Sequence, residues 1–164
     1  MSKADELAAK LRKTQQTRAD TDNFADLAIV HWPAQVYELY RQIEIWLAPV
    51  CEAGLDIRRN PTHVFERRSS GSTYNYAIDQ LMIEGNHRRI SFDPIARFSP
   101  KGEGCIEVHM KGKEHCIVRT LGEHGESLWH VQALQAARQQ RPEPTLLDED
   151  ALLALIEEGL ETHF

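Results

Sequence analysis

The chain has 164 residues, of which 41% are hydrophobic and 27% are charged, and its formal net charge is −6. These values exclude a wholly disordered chain and predict one globular domain over residues 1–164, large enough to bury a hydrophobic core. No apolar run approaches the roughly 18–20 residues of a membrane span, and the N-terminus lacks the apolar core of a secretion signal. We therefore expect a cytoplasmic protein that does not bind membranes.

The first predicted element is a short helix over residues 4–13, where Leu7 and Leu11 are spaced by four among good helix formers. This helix belongs to a frayed N-terminal segment, residues 1–20. The polar residues 17–23 are rich in turn formers and predict a break in the helix.

The strongest helix pattern covers residues 33–48. Pro33 suits its first turn, and its regular part is expected to end before Pro49. Its apolar residues follow the 3.6-residue period on one broad face, which predicts the main packing helix. They are Trp32, Val36, Leu39, Tyr40, Ile43, Trp46, Leu47 and Val50.

From Leu55 onward the apolar residues follow a period of two, interrupted by closely spaced turn signals. Connections this short require antiparallel pairing. An amphipathic helix over residues 146–160 lies within an acidic C-terminal segment, residues 142–164. The sequence therefore predicts an α+β fold, an antiparallel β meander of about five or six strands packed by two N-terminal helices and one C-terminal helix.

The chain has three cysteines, and this odd number favours reduced thiols over disulfides. If the residues 112–113 form a hairpin loop, Cys116 lies directly across from His109, and Cys105 could join them in a metal or thiol site. His115 then points to the other face. The spacing matches no zinc-finger pattern, so we expect no metal, and a metal-dependent or thiol enzyme is an alternative.

Catalytic and cofactor motifs are missing from the sequence. It contains no P-loop, no dinucleotide glycine fingerprint and no nucleophile elbow. We therefore expect a protein without a cofactor and without enzymatic activity.

The acidic residues are concentrated near the C-terminus. Residues 55–101 carry eight basic and five acidic side chains, and the rest of the chain carries eleven and twenty. Uncompensated like charge suits the recognition of a basic protein partner. The acidic candidates are Asp148, Glu149, Asp150, Glu157, Glu158 and Glu161.

Arginine doublets form a competing candidate surface. They recur from Arg58 to Arg97 and include Arg67 and Arg88, so several could line up across strands as a basic stripe. Such a stripe would suit an acidic protein partner or a nucleic acid. The net negative charge of the chain argues against nucleic acid, because nucleic-acid binding depends on neutralising phosphates.

The layout of the chain resembles the small, acidic α+β proteins of bacteria that neutralise toxins. The resemblance rests on the helix at residues 31–47, the meander at residues 74–129 and the acidic tail helix. It implies an immunity protein that binds a cognate toxin or effector. Type III secretion chaperones are also small and acidic and are a second resemblance, although their helices and strands alternate differently. Neither resemblance assigns a role to a residue or indicates an oligomeric state.

Overall fold

The fold is that of a computed structural model, in which helices flank a β-meander. The described residues are 2–67, 73–95, 104–134 and 143–161, with the backbone alone described at 18–29, 66, 67, 73 and 74. The elements in chain order are α1 (Lys3–Glu52), β1 (Asp56–Arg67), β2 (Thr73–Gly85), β3 (Arg88–Ile95), β4 (Cys105–Met110), β5 (Lys113–Leu121), β6 (Ser127–Leu134), β7 (Thr145–Leu146) and α2 (Glu149–Leu160). No helix in these ranges is both long and apolar enough to cross a membrane.

The predicted α+β class and antiparallel meander are confirmed. The strands follow one another in the order β1 to β7, and each pairs antiparallel with the next. The sheet has seven strands rather than five or six, because β7 adds a short pair of residues beside β6.

Both predicted N-terminal helical segments are helical, but the residues between them are helical too. The break expected at residues 17–23 is therefore wrong, and α1 is one helix of 50 residues. Pro33 and Pro49 lie inside it, although Pro33 was expected in a first turn and Pro49 beyond the end. Ser2 begins the helix with a capping box, in which its hydroxyl accepts from the Asp5 N–H at 3.2 Å.

The hydrophobic core lies between the sheet and the C-terminal part of α1. Trp32 is fully buried, and its ring centroid lies 5.9 Å from that of Trp129 on β6. Gly104 passes so close beneath Trp32 that a Cβ there would collide with the indole. Trp46 was predicted to be a core residue, but it is only partly buried at the edge of the cluster.

The other helix, α2, closes the core over β3 and β4. Gly159 lets α2 approach closely, because a Cβ there would collide with Ile90. Asn86, in the positive-φ turn between β2 and β3, donates its side-chain N–H to the Leu160 carbonyl at 2.7 Å. This hydrogen bond satisfies a carbonyl at the end of α2 and ties the helix to the sheet.

Tyrosines of α1 complete the hydrogen bonding of β2 where β3 no longer pairs with it. The registered pairs of β2 and β3 end at Leu81. Two residues earlier, the Asp79 N–H donates to the Tyr37 hydroxyl at 3.0 Å, and the Tyr40 hydroxyl donates to the Asp79 carbonyl at 2.8 Å. Burial raises the pKa of Tyr40 far above its usual value, so its hydroxyl keeps the proton that it donates. The helix thus anchors the long β1–β2 hairpin.

Candidate protein-binding surfaces

The exposed side of α2 carries the predicted acidic surface. Asp148 caps the helix, because its carboxylate accepts from the Ala151 N–H at 2.8 Å. Leu152, Leu155, Ile156 and Leu160 turn into the core and fix which side faces solvent. The exposed side chains recur at helical spacing and form one face of α2, which we call the α2 acidic face. They are Asp150, Ala154, Glu157 and Glu161, whereas Glu149 in the first turn is also exposed but falls outside this spacing.

Two of the candidate carboxylates are paired with cations of the sheet. Glu158 lies 2.9 Å from the Lys113 ammonium, and Glu161 lies 2.8 Å from the Arg88 guanidinium. The sequence-based expectation that these two carboxylates lack basic compensation is therefore wrong, because the cations come from distant β-hairpins. Among the described residues, Asp150 and Glu157 form no ion pair, so the unneutralised charge of the α2 acidic face is centred on them.

The predicted basic stripe is interrupted by acidic residues. On the face of the sheet that carries Glu84, that carboxylate lies 2.7 Å from Arg58 and 3.0 Å from Arg89. Arg58 also lies 3.0 Å from Asp56. Arg88 forms an ion pair with Glu161. Arg67 is described only as backbone at the end of β1, and Arg97 lies outside the described residues.

The Arg59 side chain points towards α1 and packs against it. Its guanidinium lies 2.9 Å from the Glu44 carboxylate and above the rings of Tyr37 and Tyr40, 5.6 and 5.5 Å from their centroids. A cation held in this way is stabilised by both the carboxylate and the aromatic faces. The doublet Arg58-Arg59 thus contributes one arginine to each face of the sheet, as predicted, but each already has a carboxylate partner.

The thiol and imidazole groups do not form the predicted constellation. The hairpin turns at residues 111–112, so that Glu114 lies opposite His109 and Cys116 lies opposite Glu107. The expectation that Cys116 would face His109 is wrong because the loop lies one residue earlier in the chain. His109 is instead surrounded by carboxylates, 3.1 Å from Asp93 and 3.3 Å from Glu107.

No group of three or more histidine, cysteine, aspartate or glutamate side chains in the described ranges is placed to hold a metal ion. None of the three cysteines forms a disulfide there. Burial, with help from Asp56 and Glu44, raises the pKa of the Cys51 thiol, which disfavours the thiolate that nucleophilic chemistry requires.

His115 points to the opposite face from Cys116, as the alternation predicted, and is 7% exposed. It lies beside a surface cavity of about 750 Å³ between the β4–β5 hairpin, β6 and α2. Its Nε2 is 3.6 Å from Glu158, and its Nδ1 has no hydrogen-bond partner within the described part of the chain. Burial is the main reason that the pKa of His115 is lowered, so the neutral imidazole is favoured.

Comparison with protein-family models, with curated proteins and with solved structures finds no match to this chain. The geometry and charge of the protein surface are therefore the basis for inferring its function.

Proposed function

We propose that this protein is a non-enzymatic binding domain of the immunity type, which recognises a basic protein partner through the α2 acidic face. One observation supports this choice over the basic stripe. Asp150 and Glu157 are exposed and have no ion-pair partner among the described residues, whereas Arg58, Arg59, Arg88 and Arg89 each contact a carboxylate. A surface whose charge is already neutralised attracts an oppositely charged partner less strongly.

The rigidity of α2 favours the same surface. Its apolar side is held in the core, and both of its ends are fixed, by the Asp148 cap and by the Asn86 hydrogen bond. A pre-ordered helix loses less conformational entropy on binding than a mobile segment. A basic toxin or effector would therefore meet carboxylates whose positions are already set.

The test is association kinetics with the proteins encoded by the genes adjacent to this one. Neutralising the surface with Asp150→Asn and Glu157→Gln should slow association at low salt, and reversing it with Asp150→Lys and Glu157→Lys should slow it several-fold further. Electrostatic steering acts mainly on the association rate and weakens as salt is added. The reversal variants must first show unchanged cooperative unfolding.

The matched control is Glu52→Lys with Glu123→Lys, which reverses two exposed carboxylates away from α2. The control should bind at the rate of the unmodified protein. The proposal is overturned if the α2 reversal and the control slow association equally, or if only Arg58→Glu with Arg89→Glu slows it. Failure of every neighbouring gene product to bind would also count against an immunity function.

A further inference from the structure

The cavity beside His115 has the size and composition of a small-molecule site. It lies where the β4–β5 hairpin, the end of β6 and α2 meet, and its volume is about 750 Å³. Ligand sites usually measure about 300–1,000 Å³ and combine an apolar lining with a few polar groups. The polar groups here include those of Lys113, His115 and Glu158. The apolar lining residues are Met110, Ala133 and Leu134.

The imidazole of His115 is the buried polar group of this cavity. Its side chain is 9% exposed, and its Nδ1 has no hydrogen-bond partner within the described part of the chain. The Lys113 ammonium lies 2.9 Å from one oxygen of the Glu158 carboxylate, and His115 Nε2 lies 3.6 Å from the other. A carboxylate beside Nε2 favours the tautomer in which Nε2 carries the proton. Nδ1 is then an acceptor that lacks a donor, and such an atom is costly inside a protein.

The residues around His115 leave room for a ligand to approach Nδ1. The atom is covered by the protein, so a molecule that reaches it must displace a neighbouring side chain. Ala133 lies directly opposite His115 on β6 and is small. Met110 lies diagonally across on β4, on the same face of the sheet. A methionine side chain is unbranched and flexible, so it adapts to a ligand at low cost.

The charges of the cavity favour a neutral ligand. Lys113 and Glu158 neutralise each other, which leaves a cation little to gain from this carboxylate. Glu114 also lines the cavity and adds a largely exposed carboxylate, which would repel an anion. A charged molecule would in addition lose hydration on entering, without a free counter-charge to replace it.

We propose that this cavity binds a small neutral molecule with an apolar group and one hydrogen-bond donor, and that the donor bonds to His115 Nδ1. The apolar group covers Ala133 and Leu134, so apolar surface is removed from water on both sides. The donor satisfies the acceptor that the protein leaves unpaired. The site is separate from the α2 acidic face, since Glu158 is not part of that face.

The test compares phenol with anisole, in which a methyl group replaces the phenolic proton. Both molecules are small enough for the cavity, and anisole is the more apolar of the two. Each is titrated into the full chain and followed by amide proton–nitrogen NMR. Phenol should move the signals of residues 112–115, 133, 134 and 158, and should bind about tenfold more tightly than anisole. A site that only buried apolar surface would instead prefer anisole.

Nδ1 itself gives the most direct readout. Two-bond proton–nitrogen NMR of the imidazole, recorded above the ordinary histidine pKa of about 6.5, should show the proton on Nε2 in the free protein. Phenol should then shift the Nδ1 signal, whereas anisole should leave it in place. This measurement uses the unmodified chain and does not depend on the folding of a variant.

Substitutions separate the polar contact from the apolar one. His115→Phe keeps a ring but removes both nitrogens, so it should abolish the preference for phenol. Leu134→Asn should weaken both probes several-fold. The matched control is Leu121→Asn, which changes an exposed leucine of β5 outside the cavity and should weaken neither.

The proposal is overturned if phenol causes no saturable shift at the cavity residues, or if anisole binds as tightly as phenol. It is also overturned if Nδ1 carries the proton in the free protein, or if His115→Phe still prefers phenol. Purified protein alone is used, so the outcome is independent of the basic partner proposed above.

Discussion

The two parts of α1 differ in what stabilises them, although they form one continuous helix. Residues 32–50 pack their apolar side on the sheet, and Trp32, Val36, Tyr40, Ile43 and Leu47 are fully buried. Residues 3–30, which we call the arm, expose Leu7, Leu11 and Val30 and contribute no described residue to the core. A helix can therefore be continuous in geometry while tertiary packing stabilises only one of its two parts.

The largest difference between the two parts should appear on truncating their biggest apolar side chains. Trp32→Ala removes a fully buried ring that packs on Trp129 and should lower the free energy of unfolding by about 3–5 kcal/mol. Leu11→Ala should change it by less than about 0.5 kcal/mol, because Leu11 is an exposed residue. Chemical denaturation is the appropriate measurement. Similar losses for both variants would show that the arm is part of the cooperative unit.

A smaller effect is expected from the Tyr40 hydroxyl. Tyr40→Phe leaves the Asp79 carbonyl without its donor at the place where β3 no longer pairs, and should cost about 1–3 kcal/mol of unfolding free energy. Tyr37→Phe is the matched variant at the Asp79 N–H. If neither substitution lowers the denaturation midpoint, α1 does not anchor the β1–β2 hairpin.

Removing the cap of α2 should lower the stability of the whole protein, whereas removing the cap of α1 should not. Asp148→Ala removes the cap of α2, which packs in the core, and should destabilise the protein by about 1 kcal/mol. Ser2→Ala removes the cap of the arm and should leave cooperative unfolding unchanged while lowering helical circular dichroism slightly. A global loss of stability on Ser2→Ala would contradict the separation of arm and core.

The smallest expected effect is a pH dependence from His115. Its pKa is lower in the folded protein than in the unfolded chain, so protonation favours unfolding. The stability from the neutral imidazole is complete above the unfolded pKa of about 6.5 and declines as pH falls towards the folded pKa. Urea titrations at several pH values should therefore show that the free energy of unfolding falls less between pH 7 and pH 5 in His115→Gln than in the unmodified protein. This interval lies within the range of about 5–8 in which histidines titrate. An unchanged slope would exclude this contribution.

The sequence predicted the sheet-packed part of α1 and the strands because burial imposes a clear period. The period of Val36, Leu39, Ile43 and Leu47 indicated one buried side, and alternation in β4 and β5 placed His115 and Cys116 on opposite faces. The arm was interpreted as a short helix followed by a break, since its threonines and aspartates are typical of turns. Low helix propensity in a segment does not show whether an adjacent, well-packed helix continues through it.

The candidate surfaces were harder to predict, because their electrostatics depend on residues distant in the chain. Lys113 and Arg88 neutralise Glu158 and Glu161, and no pattern within the C-terminal segment indicates these contacts. The hairpin register changed the neighbours of His109, since a loop one residue earlier shifts its opposite residue by two while preserving the face.

Hydrogen exchange along α1 tests the contrast between its two parts most directly. Amides of residues 32–50 should exchange slowly, because their protection depends on unfolding of the core. Amides of residues 3–30 should exchange faster, because the helix can open locally there without unfolding the core. Equal protection of the two parts would contradict our account of α1.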